Sequence, residues 1–423
     1  MLSRFVHTFV FVCLLALPAV ADDKPRWLLG NATKLPTEYT NQESGYFSIV
    51  EGLNGRVYIG AAKYGVNAYL LEYDPKSDST KMVIDAHKVI GTNAKGFAAQ
   101  AKFHTRNNVG ASGKIYVGTK QGYMEAGETR DLYLGGYAMT YDPATGKAEH
   151  YGIAHPKDGI ISVTPDESRG LAYVSTCSDT RPIDHCHFMV LDLKTRAYTD
   201  LGDMEHAYAF IVVDHLGRAY HPIRGGSIAR YDPDRKKLDR LAITIDGKAP
   251  PKGMTKDDTV LNWEISPDRK TLWCVEMSTN QLYSFDLTAA GDTIPGKAHG
   301  KLLAWAKQTD CRAMCVGADG VVWAAVTVHG IPDGPILHLV SGTESNPPRD
   351  HGSLGVANPD FTTFTDANGK AKPWHHTMPK RKDGVLSPWQ PMGVCASRDG
   401  STVFVLTIAP FTVLRFDRKA LNR

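Results

Sequence analysis

The sequence is poor in the features that announce most protein classes. Aromatic residues make up only 9%, and Lys+Arg 48 against Asp+Glu 45 leaves a formal charge of +3. That balance argues against a generic polyanion binder, whose affinity comes from neutralising phosphates, so nucleic acid is excluded as a first reading. Beyond the first residues no apolar run approaches the roughly 20 residues that a bilayer-spanning helix needs. Seven cysteines in 423 residues are too sparse for a disulfide framework. Paired short Cys/His spacings of the structural-zinc type are missing. Cys186-His187 has its companion cysteine nine positions away, which excludes a haem attachment site. No amphipathic helical stretch of persuasive length is present, and no cluster of carboxylates.

What is there is a globular composition, 42% hydrophobic and 22% charged, with 39 Gly and 24 Pro. The amino terminus carries Arg4, an apolar run from Phe9 to Leu17, then Pro18 and Ala19-Val20-Ala21. This reads as a cleaved secretory signal over residues 1–21, leaving residues 22–423 as one domain, secreted or periplasmic. In an oxidising compartment Cys177 and Cys186 are the best disulfide pair, because they bracket a polar stretch whose closure is worth about 2–3 kcal/mol. Cys311 and Cys315 would share one face of a strand at a separation too great for a bridge. The pairing of Cys274, Cys311, Cys315 and Cys395 is left open.

One pattern recurs. A turn glycine followed by an aromatic appears as Gly55-Arg-Val-Tyr58, Gly113-Lys-Ile-Tyr116, Gly170-Leu-Ala-Tyr173, Gly217-Arg-Ala-Tyr220 and Gly320-Val-Val-Trp323. Lys270-Thr-Leu-Trp273 and Gly400-Ser-Thr-Val-Phe404 are degenerate copies. Each follows a polar turn and a short apolar segment, which is a hairpin signal. A second signal trails most copies: Tyr73-Asp74-Pro75, Tyr141-Asp142-Pro143, Leu191-Asp192-Leu193, Tyr231-Asp232-Pro233, Phe285-Asp286-Leu287 and Phe416-Asp417-Arg418. Such a unit, about 40 to 50 residues long and repeated, predicts an all-β, seven-bladed β-propeller of four-stranded antiparallel blades. The chain ends soon after the third strand of its last blade, so residues near Trp27 to Lys34 are expected to supply the missing outer strand.

In such a ring, loops entering each first strand and leaving each second strand share one face. The longest insertions, 120–136, 175–187, 328–335 and 341–390, fall there, the usual dress of a binding site on a rigid scaffold. On an inner strand Lys102, His104 and Arg106 alternate onto one face, expected to line the channel because three such side chains cannot enter an apolar core. The same face gathers Tyr123, Tyr137, His155, His221, Arg224, Glu276, Trp374, His375 and His376, with Tyr208, Arg312 and Gln390 on inner strands. Histidines, arginines and aromatics without clustered carboxylates suit an acidic sugar, since Arg clamps carboxylates bidentately. A glycosidase needs two carboxylates across the bond, and only Glu264 and Glu276 offer themselves.

The blade grammar, with Lys102-Phe103-His104-Thr105 followed by Gly113-Lys-Ile-Tyr-Val-Gly-Thr119 and Gly135-Gly136-Tyr137, resembles secreted bacterial seven-bladed propellers related to oligogalacturonate lyases. That resemblance implies a divalent metal, Mn or Ca, held by histidines and a glutamine at the channel mouth. It also implies an arginine or histidine base beside a uronate carboxylate. On this chain the metal set becomes His104, His376 and Gln390, although Tyr137 stands where the family pattern shows a histidine. A weaker resemblance to calcium-dependent lactonase-like propellers draws on Glu264, Asn262 and Asn107.

The expected activity is cleavage of a uronate-containing oligo- or polysaccharide by β-elimination, by a monomer. His104, Tyr208, His221 and Arg224 would be catalytic. Lys102, Arg106, Tyr137, Arg312, Trp374 and His375 would bind substrate. The alternatives are a glycan- or protein-binding propeller without catalysis and a metal-dependent lactonase or esterase.

Overall fold

A computed structural model describes residues 27–40, 43–178, 185–205, 210–223, 227–251, 261–358, 378–388, 390–408 and 411–421. The leader and the residues Tyr208, Arg224, Trp374, His375 and His376 lie outside that set.

Every Gly-to-aromatic copy becomes the turn between the first and second strands of an antiparallel meander. Gly55, Gly113, Gly170, Gly217, Gly320 and Gly400 all take positive φ there, from 67° to 86°, a region that costs a residue with a Cβ roughly 1–2 kcal/mol. The copy without a turn glycine puts Arg269 in that region, at φ 59°. The seven aromatics each follow on a second strand, such as Tyr58 on Val57–Lys63 and Trp323 on Val322–Val328, and all are buried. The Tyr-Asp signal is equally literal. Third strands Asn67–Asp74, Tyr137–Asp142, His187–Asp192, Ser227–Asp232, Gln281–Asp286 and Thr412–Asp417 stop at the aspartate. Its carboxylate then accepts the backbone N–H two residues on, at 2.8–3.0 Å. This side-chain turn offers the backbone an alternative to the ladder and ends the strand.

Seven such meanders occur among the described residues, over 43–85, 108–153, 159–203, 212–245, 261–301, 309–356 and 390–417. They are grouped into four curled sheets, because neighbours join edge to edge. The first and second meet through Lys102–Phe103, and the fourth and fifth through parallel pairing of their outer strands. The last meander has three strands of its own. Asn31 to Lys34 pair antiparallel with Thr412 to Arg415 and supply the fourth, while Trp27 to Gly30 run parallel to Ser353 to Val356 of the sixth. The segment expected to fill this edge therefore does so, leaving less unpaired strand for aggregation.

The apolar core is divided into clusters shared by successive meanders, most by two and one by the third, fourth and fifth together. Tyr116 and Val174 meet between the second and third, and Tyr173 and Ala219 between the third and fourth. Phe404 of the last meander packs with Ile59 of the first. Consecutive first strands also touch one another, and the last touches the first. Hairpin turns between first and second strands therefore gather at one end of the molecule. The connections into first strands and out of second strands gather at the other.

Candidate metal centre

At that second end, the third meander collects three imidazoles around one carboxylate. Asp158 immediately precedes the first strand, Gly159–Asp166. His155 lies three residues earlier, in the connection from the second meander, while His185 and His187 stand where the chain enters the third strand. Two glycines let the 155–158 turn come this close. A Cβ on Gly135, whose φ is 135°, would sit 2.6 Å from the carbonyl oxygen of His155, and one on Gly136 would sit 2.4 Å from that of Thr119. The Gly136 N–H donates to the Asp158 carbonyl at 2.7 Å and locks the approach.

Asp158 is 1% exposed. Its Oδ1 lies 2.8 Å from His185 Nε2, and its Oδ2 accepts from Thr176 Oγ1 at 2.8 Å. His155 Nδ1 is 2.9 Å from Oδ2, near enough for an ion pair but off the hydrogen-bond axis. The His155 and His187 rings stack at 3.9 Å, an arrangement that two imidazolium ions would oppose. One ligand atom from each of His155, Asp158, His185 and His187 falls within 4.8 Å of the others. His187 Nδ1 lies 2.9 Å from Asp200 Oδ2. This leaves its Nε2 to point elsewhere, the carboxylate–histidine support common behind metal ligands. Burial opposes ionisation of Asp158, but its contacts with His155 and Thr176 and the nearby His185 hold it below the ordinary carboxylate range. Contact with Asp158 raises His155 against the opposing effect of burial.

A site with three imidazoles and one carboxylate fits a borderline divalent ion. Zn, Mn, Fe, Co and Ni accept nitrogen, whereas Ca takes six to eight oxygens. The donor set therefore disfavours the Ca expected from sequence. The imidazoles are 18–34% exposed, so the cluster opens to solvent on one side.

The expected metal residues are not the ones gathered. His104 is 2% exposed and turns its ring edge to Phe47, and Gln390 begins the last meander; neither belongs to the cluster. His221 is wholly buried, held by Ser175 Oγ at 3.1 Å and the Pro222 carbonyl at 2.7 Å and packed on Phe188, so it presents no atom to a substrate. Lys102 sits 5.1 Å from the ring centres of both Tyr64 and Tyr123, and the Tyr123 ring is exposed. Tyr137 packs its ring edge on His150. Arg312 pairs with Asp310 at 2.7 Å. Arg106 pairs with Glu264 and donates to the Trp263 carbonyl at 2.6 Å. The inner strand expected over Lys102 to Arg106 is not continuous: only Lys102–Phe103 are strand, linking the first two meanders, and the first strand of the second meander is Asn108–Val109, although Phe103 does enter the core between them.

The expected disulfide is not formed. Cys177 and Cys186 are wholly buried and lie side by side without a disulfide between them, and contact with Cys177 first, then burial, pushes the Cys186 thiol well up. Reading for short zinc spacings missed the cluster because its ligands come from two separate segments. The signals available were His155-x-x-Asp158 and His185-x-His187, each weak alone.

A second histidine network has the connectivity of a hydrolase triad. Ser353 Oγ is 3.1 Å from His338 Nε2, and His338 Nδ1 is 3.1 Å from Asp350. Ser353, however, is 0% exposed beneath the strand that pairs Trp27 with it, so no substrate reaches its hydroxyl. These side chains staple an outer edge.

No protein-family model matches the chain, and no curated protein matches it. Among solved structures it is similar to the extracellular domain of a protein classed as a one-component system from B. thetaiotaomicron. The TM-score is 0.52 at 12% identity, over 92% of this chain and 40% of that one. It is also similar to a chain of the mitotic checkpoint complex, with TM-score 0.51 and 10% identity, over 98% and 99%. This chain thus spans 40% of the length of the first of these. At such identities the likeness is one of fold.

Proposed function

We propose that this chain is an extracytoplasmic, seven-bladed β-propeller that cleaves a uronate-containing oligo- or polysaccharide by metal-assisted β-elimination. The observation that carries the reading is the convergence of His155, Asp158, His185 and His187, with Asp200 behind them, at the end of the molecule that also bears the long connections. Seven meanders, shared inter-meander cores and the paired amino-terminal strand support the closed ring. The apolar leader at residues 1–21 and the extracellular setting of one structural neighbour support the location.

β-Elimination removes the proton beside the uronate carboxylate, forms a carbon–carbon double bond and expels the glycosidic oxygen, which takes up a proton. A divalent cation held by the four ligands would neutralise the substrate carboxylate and so acidify that carbon–hydrogen bond. Asp158 and Asp200 orient the imidazoles. Lys102, beside the stacked rings of Tyr64 and Tyr123, adds positive charge, and the exposed Tyr123 ring offers a surface for a sugar. Arg224 and Tyr208 are the candidates for base and acid.

The test is incubation of the metal-loaded protein with a panel of acidic glycans, following absorbance of the unsaturated product. Product that disappears in His185→Ala/His187→Ala supports the reading. A folded, metal-loaded protein that yields none from any uronate polymer overturns it. The second reading is a glycan-binding module without turnover, favoured by the burial of His104 and His221. It predicts that glycan is retained intact.

A further inference from the structure

At the opposite end from the imidazole cluster the first strands enclose a cavity of about 460 Å³, within the range of small-molecule sites. Its rim comes from the hairpin turns and its roof from aromatic side chains. Phe47 meets Phe210 edge-on at 4.9 Å, and the buried Trp263 donates its indole N–H to the Phe210 carbonyl. Phe47 is held at φ 65°, a left-handed conformation that a bulky residue rarely adopts, and its ring stands between the cavity and His104.

The charged lining is asymmetric. Arg106 lies 5.6 Å from the Phe210 ring centre and is paired with Glu264. At the rim, Glu51 accepts the Arg398 backbone N–H at 2.5 Å. Arg269 and Arg398 line the cavity and are exposed at its rim. Three arginines against two glutamates leave the lining with one net positive charge. A carboxylate or sulfonate satisfies such a surplus with charge-assisted hydrogen bonds, and arginine presents the fork that matches it. Phe47, Phe210 and Trp263 supply flat apolar surface for the rest of a ligand.

We infer that this cavity is a second ligand site, for a monoanionic small molecule with a flat apolar body, an aromatic carboxylate or sulfonate in class. Arg269 and Arg398 take the anion at the rim, and the Phe47–Phe210–Trp263 roof takes the body. The site stands independently of the metal centre, whose residues come from the other ends of the strands.

Anilinonaphthalene sulfonate is a suitable probe, titrated by fluorescence into the full chain. The expected result is one saturable site, weakened at least about tenfold by Arg269→Ala/Arg398→Ala and unchanged by His185→Ala/His187→Ala. Neutral N-phenylnaphthylamine should bind at least about tenfold more weakly than the sulfonate. Both arginines are exposed, so the double variant should keep the wild-type melting temperature, which verifies its fold. Absence of saturable binding to the wild type, equal affinity in the arginine variant, equal affinity for the neutral probe, or loss of binding in the histidine variant would each overturn the inference.

Discussion

Two histidine–carboxylate networks in this chain look alike on paper and differ in what they can do. His338 joins Ser353 to Asp350 in an unbroken relay, yet Ser353 is sealed beneath the strand that pairs with it. Around Asp158 the order is reversed. The carboxylate is buried and the imidazoles around it reach solvent. Connectivity is therefore a poor guide to function. What separates a site from a staple is which member of the network faces outward.

The strongest way to break this comparison is to remove the central carboxylate. Asp158→Ala should abolish stoichiometric binding of Zn or Mn, read by metal analysis after dialysis. It also strips Thr176 and His185 of their shared acceptor and His155 of its ion-pair partner, with a loss of about 1–3 kcal/mol in apo stability by denaturant unfolding. Unchanged metal content would reduce the cluster to an ion-pair network. Asp200→Asn leaves the ligands in place but weakens the hold on His187, so metal affinity should fall about 10–100-fold by calorimetry. No change there would mean that Asp200 merely decorates the surface.

The pH dependence sharpens the contrast. His155 has a folded pKa raised above the ordinary 6.5, chiefly by Asp158. Its stabilising contribution to the apo protein is fully present below that value and is lost as pH rises through the folded pKa. Asp158 is lowered, so its contribution is present above the ordinary 3.8 and is lost as pH falls through its folded pKa. Metal needs neutral imidazole. Melting curves should therefore show metal-induced stabilisation growing with pH from mildly acidic conditions, while the apo protein loses the His155 contribution. Parallel apo and metal-loaded profiles would contradict the assignment. The smallest effect is expected at the closed network: Ser353→Ala should cost about 1 kcal/mol of stability and leave metal content and any glycan-cleaving activity untouched. Loss of that activity would place the chemistry at the edge staple instead.

The repeat was legible because local rules write it. A turn glycine tolerates positive φ, the aromatic after it fills a groove between meanders, and the aspartate ending each third strand accepts the next turn's N–H. Alternation alone puts Lys102, His104 and Arg106 on one strand face, but the strand stops at Phe103. Their destinations were not legible. Arg106 is taken by Glu264 from a strand more than 150 positions away, and His221 vanishes into a contact with Ser175. Cys177 and Cys186 were recognised as neighbours, but their adjacency comes without a bond.

The sequence by itself determined the repeating unit and the ends of the third strands, since each depends on residues a few positions apart; the segment that completes the last meander followed from counting strands, because residues 31–34 pair with 412–415 at the far end of the chain. Only the tertiary structure decided which histidines meet. The double glycine at 135–136 has no chemistry of its own, but it lets a turn from one meander lie against the strand ends of the next. That packing, invisible to spacing, converts four scattered residues into one candidate metal centre.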